Sequence, residues 1–126
     1  AHHPTEIKAV YNSVKEMYHD ETVLAVFQPH LFSRTKDFVE DFAKELSNFD
    51  ELLLLDIYPA REMPIEGVDS KWLLQKIKLE NKKIVLKENL INSIKESTAT
   101  VVVMLGAGDI GAIVNDVVLA INNELI

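Results

Sequence analysis

With 126 residues, 48% of them hydrophobic and none a cysteine, the chain is long enough to bury a core without disulfides or metal. Its formal net charge of −7, from 20 acidic and 13 basic residues, argues against nucleic acid or an anionic membrane as partner, since both require a basic footprint. No apolar run approaches the ~18 residues of a membrane span and no signal-peptide pattern opens the chain, so a reducing, cytoplasmic location is the expectation.

Ile7, Val10, Tyr11, Val14 and Met17 share one face of a first helix. Pro4 suits its first position, where a missing N–H costs nothing. The opening stretch AHHPTE has no initiating Met and enters this helix almost at once, which predicts a piece cut from a longer chain. Residues 23–27 are apolar throughout and bounded by polar ones, the pattern of a buried strand. Phe38, Val39, Phe42, Ala43 and Leu46 make a second helical stripe, and residues 52–57 a second buried strand. Ser70 is the expected N-cap of a third helix carrying Leu73, Leu74 and Ile77. Residues 84–86 form a short third strand, and Leu90, Ile91 and Ile94 mark a brief fourth helix. Residues 100–105, rich in β-branched side chains, form the fourth strand. Ile110, Ile113, Val114, Val117, Val118 and Ile121 then line a final amphipathic helix capped by Asp109.

The order α-β-α-β-α-β-α-β-α, with strands apolar on both sides, predicts a mostly parallel sheet covered by helices on both faces. With right-handed crossovers this is an α/β, Rossmann-like, doubly wound fold, a single domain over residues 1–126. Because a helix comes first, a strand feeding it is expected upstream.

Ligands of such sheets bind outside the carboxyl ends of the strands. Four segments reach that edge: HHP before the first helix, QPHLFSRT after the first strand, YPAREMPIEGVDS after the second and GAGDIG after the fourth. In QPHLFSRT, Arg34 stands at the start of a helix, whose end is already positive. A guanidinium there is unfavourable unless an anion arrives, and Arg grips a carboxylate or phosphate with two parallel bonds. His30 can donate from a second direction. The other reading pairs Arg34 with Asp37 and leaves His30 as an ordinary loop residue. Ser33 or Thr35 is expected to cap the helix. The loop after the second strand is long for its kind, which more often marks function than structure.

GAGDIG, residues 106–111, matches the G-x-G-x-x-G pattern between a strand and a helix, but no later strand is available to carry the acidic ribose partner. Its glycines are read instead as permitting a tight turn and a close backbone approach to something bound at the strand edge. No G-x-x-x-x-G-K-[ST] phosphate loop is present. His2 and His3 are adjacent and point apart, a poor metal pair, and with no cysteine no metal site is expected. One of the two can face the ligand edge. His19 reads as solvated, and Trp72 and Phe49 as packing. Arg61 and Glu62 read as solvated loop charges. Asp56 and Glu62 could help to hold an ammonium group or Mg²⁺, though nothing in their spacing demands it.

Taken in order, these segments resemble the C-terminal domain of the Mur ligases. The resemblance spans essentially the whole chain. It rests on AHHPTE at 1–6, FQPHLFSRT at 27–35, Asp56 and Tyr58 followed by PIEG at 64–67, and GAGDI at 106–110. FQPHLFSRT is the specific element, and it favours the branch that attaches L-alanine over the one that attaches a preformed tripeptide. The resemblance implies a cytoplasmic three-domain ligase of peptidoglycan synthesis: one domain holds the UDP-sugar, a central one holds ATP and Mg²⁺, and the last presents the amino acid. ATP converts the carboxylate of UDP-N-acetylmuramate to an acyl phosphate, which the amine of L-alanine attacks. His30 and Arg34 would hold the alanine carboxylate. His2 or His3, Arg61 and the turn Gly106, Ala107, Gly108 and Asp109 would border the site at the interdomain edge. ATP and Mg²⁺ would be bound mainly by the absent central domain, so this chain alone is expected to hold no cofactor and to be inactive. Many members carry Arg where Leu31 stands and Tyr where Phe32 stands, which reduces a two-arginine clamp to His30 plus Arg34. The alternatives are a free-standing Rossmann-type module that binds a nucleotide or phosphate at GAGDIG, and an inert scaffold with solvated edge charges.

Overall fold

A computed structural model describes residues 3–106. Helix α1 (Pro4–Met17) leads into strand β1 (Val23–Gln28), followed by α2 (Phe32–Asp37), α3 (Val39–Leu46), β2 (Glu51–Leu54), α4 (Ser70–Lys76), β3 (Lys82–Ile84), a 3-10 turn (Lys87–Asn89), α5 (Leu90–Glu96) and β4 (Val101–Gly106). The strands form one sheet in the order β3-β2-β1-β4, and every pairing is parallel. The predicted α/β architecture is therefore the observed one, and the predicted last helix lies outside the described residues.

Alternation along the strands explains the layering. Val23, Ala25 and Phe27 of β1, with Leu52 and Leu54 of β2, pack with Ile7 of α1, Phe42, Ala43 and Leu46 of α3, and Leu73 of α4. Leu24, Val26, Leu53 and Leu55 point the other way, onto Leu90 and Ile94 of α5. All six residues of β1 are buried, as a central strand covered on both sides must be. The chain moves outward from β1 to β3 with its crossover helices on one face, then returns past β1 to β4 with α5 on the other. Crossovers of one hand force that change of face when the direction reverses. The reversal makes the carboxyl ends of β1 and β4 the topological switch point, where open α/β sheets hold ligands.

Three local expectations are corrected. The single second helix is two, because Phe38 adopts φ −116° and ψ 22° between α2 and α3. The apolar stripe begins only at this joint, and the polar stretch before it has no stripe to continue it. Asp69, not Ser70, caps α4, its carboxylate accepting from the Trp72 N–H at 2.8 Å. Ser70 is buried and donates its hydroxyl to the Leu55 carbonyl at 2.6 Å, so the sheet has claimed the side chain that would have capped. Strand β2 ends earlier than its apolar run, but pairing continues as a bond from Leu55 N–H to the Phe27 carbonyl (2.9 Å) and an isolated bridge between His30 and Tyr58.

Candidate functional site

The turn after β1 is built tightly. Gln28 is buried, and Leu31 adopts φ 71° at the entry to α2. A positive φ is strained for a branched side chain, and neighbouring backbone bonds hold it there. Leu31 N–H donates to the Tyr58 carbonyl at 2.9 Å, and Tyr58 N–H donates to the Pro29 carbonyl at 2.8 Å. The rings of His30 and Tyr58 stack with centroids 5.8 Å apart and planes 15° from parallel. One side of the turn is thus zipped to the segment leaving β2.

Arg34 reaches back to this turn, its Nη1 lying 3.3 Å from His30 Nδ1. A guanidinium has no acceptor, so Nδ1 must accept, and the ring proton of the neutral imidazole sits on Nε2. Both residues are half-buried. Among the described residues no carboxylate forms an ion pair with Arg34, so the pairing with Asp37 is not the arrangement found. The structure brings together the two residues the sequence singled out, at the switch-point edge of the sheet.

The start of α2 is not an open anion seat. Glu62, from the long loop after β2, accepts from Ser33 N–H at 3.1 Å and from the Ser33 hydroxyl. The hydroxyl bond, then the backbone bond, holds the Glu62 carboxyl below the ordinary carboxylate range. The orphan donor at the helix start has been met by an internal acid. Neither Ser33 nor Thr35 caps: Thr35 turns its hydroxyl back to the Leu31 carbonyl at 2.8 Å. Sequence reasoning took Glu62 for a solvated charge. No local pattern links it to Ser33, 29 positions away.

His3 is the N-cap of α1, its Nδ1 accepting from Thr5 N–H at 3.3 Å. Its ring meets Phe38 edge-on at 5.0 Å, so it touches the α2–α3 joint. Arg61 is exposed. Gly106 pairs in register with Gln28 across β1 and β4, with φ 144°. A Cβ there would lie 2.8 Å from the Gln28 carbonyl oxygen, so the close approach expected of this glycine is to the neighbouring strand itself. His2, Ala107, Gly108 and Asp109 lie outside the described residues.

Beside the turn, a cavity of about 420 Å³ opens at the carboxyl ends of β1, β2 and β3, lined by Gln28, Leu55, Asp56, Tyr58, Leu86 and Lys87 among others. Among the described residues no group of three or more His, Cys, Asp or Glu converges as a metal site, and no helix is long and apolar enough to cross a membrane.

Open parallel α/β sheets hold ligands at such a switch point, and here the turn beside it carries His30 and leads to Arg34. Residues 1–119 match the model of the Mur ligase, glutamate ligase domain family, and the chain belongs to that family. It is 68% identical over 114 residues to the UDP-N-acetylmuramate–L-alanine ligase of Flavobacterium psychrophilum, covering 90% of this chain and 25% of that protein. It is 62% identical over 124 residues to the enzyme of the same name from Christiangramia forsetii, covering 98% of this chain and 27% of that one. The solved UDP-N-acetylmuramate-alanine ligase MurC of Thermotoga maritima is similar at 26% identity and a TM-score of 0.76, over 98% of this chain and 26% of that one. The chain thus spans about a quarter of the length of these relatives.

Proposed function

We propose that this chain is the amino-acid-presenting domain of an ATP-dependent ligase that joins L-alanine to UDP-N-acetylmuramate in peptidoglycan synthesis. The observation that carries the reading is the convergence of Arg34 and His30, 3.3 Å apart, on a sheet edge built to hold ligands, with no carboxylate paired to Arg34 among the described residues. L-alanine offers one strong handle, its carboxylate. A planar guanidinium binds that group with two parallel bonds, and the adjacent imidazole adds a donor at Nε2. Held by its acid end, the amino acid has its amine aimed at an activated carboxyl group, and such alignment is a large part of what an enzyme supplies to a reaction between two substrates. Amine attack on an acyl phosphate forms the amide and releases phosphate, and the amine's protons pass to solvent or to a base.

The chain has no phosphate-loop pattern, and among the described residues no group of three or more His, Cys, Asp or Glu converges. In this reading ATP and Mg²⁺ are bound mainly by a central domain and the UDP-sugar by another, in the remaining three-quarters of a protein of the relatives' size, with cytoplasmic action following from the cytoplasmic nature of these substrates. A free-standing nucleotide module is not favoured by relatives of which the chain is only a quarter.

The test is Arg34→Ala in the complete ligase. Losing a charged hydrogen-bond partner is worth roughly 1.5–3 kcal/mol, so the KM for L-alanine should rise about 10- to 100-fold with the KM for ATP nearly unchanged. An unchanged alanine KM would refute the carboxylate seat.

A further inference from the structure

The loop after β2 does more than connect β2 to α4. Pro59 to Glu62 forms a tight turn, closed by Glu62 N–H donating to the Pro59 carbonyl at 2.9 Å, with Ala60 at φ 53°. A non-glycine residue at positive φ is uncommon, and here it swings Glu62 back onto the first turn of α2. The Glu62 carboxylate then spans both donors of Ser33, the backbone N–H at 3.1 Å and the hydroxyl. Ser33 is the residue next to Arg34. Helix α2 has only six residues, too few to hold its own geometry in water. Outside contacts therefore help to place it: Glu62 at Ser33, the burial of Thr35 and, just before the helix, Tyr58 stacked on His30.

We infer that Glu62 is a positioning residue for amino-acid binding: by clamping Ser33 it fixes the first turn of α2, and with it the angle at which Arg34 and His30 meet the substrate carboxylate. This rests on the reading of Arg34 and His30 given above and adds a residue that touches no substrate. A displacement of the order of 1 Å in a substrate-holding group can cost up to ~100-fold in rate, so a clamp on a short helix has a large lever.

In the complete ligase, Glu62→Ala should raise the KM for L-alanine about tenfold while the KM for ATP stays within about twofold. Glu62→Gln keeps one acceptor for the Ser33 N–H and should recover most of the loss. An unchanged alanine KM in Glu62→Ala, or alanine and ATP values rising together, overturns the inference. Should Glu62→Ala fail to fold, Ser33→Ala decides instead: it removes the hydroxyl that donates to Glu62, an alanine KM raised about twofold or more with ATP unaffected supports the clamp, and unchanged values overturn it. Arg34→Ala measured alongside separates the two ideas. If Arg34→Ala leaves alanine binding intact, the carboxylate seat itself is wrong. If it weakens binding and neither Glu62 variant does, only the clamp is wrong.

Discussion

The turn after β1 and the loop after β2 lie side by side at the same sheet edge and divide the work unequally. The turn is three residues long, carries His30 and delivers Arg34, and contains a strained Leu31 at φ 71°. The loop runs over residues 55–69 without regular structure, yet its contacts face inward: Tyr58 on His30, its backbone on Pro29 and Leu31, and Glu62 on Ser33. Loop length is often taken as a sign of ligand contact. Here the short segment carries the charges proposed to meet the ligand, and the long one supplies hydrogen bonds and a stacked ring to that segment.

That division can be broken experimentally, beginning with the largest effect. Gly106 abuts the turn through Gln28, and Gly106→Val would combine a strained φ with a Cβ 2.8 Å from a backbone oxygen. The combined cost should be about 3 kcal/mol or more, visible as a clear fall in the Tm of the chain. A wild-type Tm would mean that β1 and β4 can separate at this end without penalty. Next is Tyr58→Ala, which removes the stacked ring and leaves both backbone bonds in place. Ring pairs contribute about 0.5–1.5 kcal/mol, so alanine KM in the complete ligase should rise roughly two- to tenfold. A loss as large as that of Arg34→Ala would instead make the loop part of the binding surface.

The smallest effect concerns pH. The Ser33 hydroxyl and backbone bonds hold the Glu62 carboxyl below the ordinary carboxylate pKa. A carboxyl with a depressed folded-state pKa contributes stability that is present above the unfolded value and lost as pH falls through the folded one. The Tm difference between wild type and Glu62→Gln should therefore be steady near neutrality and narrow as pH drops below 4.5. A difference that is constant across that range would show that the charge of Glu62 is not what secures Ser33.

Much of the fold was legible from residue pattern. Val23, Leu24, Ala25, Val26 and Phe27 form a strand buried on both faces, and an uninterrupted apolar run has few other uses. His30 and Arg34 stood out because cationic groups at a helix start need an explanation, and the structure places them in contact. The donors at the helix start are met by Glu62. His3, grouped with the ligand edge, is the N-cap of α1 and lies beside Phe38, a local role that its sequence position did not announce. The caps were misjudged for one shared reason. Ser33, Thr35 and Ser70 are all capable cappers, but the Glu62 carboxylate and the carbonyls of Leu31 and Leu55 reached them first.

What the chain determined by itself was everything set by neighbours within a few positions. The period of its apolar residues separated helices from strands, the absence of polar interruptions made the strands internal, and Arg34 four places after His30 made a shared site possible. Tertiary structure decided what depends on distant partners: the strand order β3-β2-β1-β4, the switch point it creates, Gly106 against Gln28 and Glu62 on Ser33. Hydrogen bonds and close packing act over a few ångströms and are blind to sequence separation. A contact across 29 or 78 residues leaves no periodic trace in the chain that makes it.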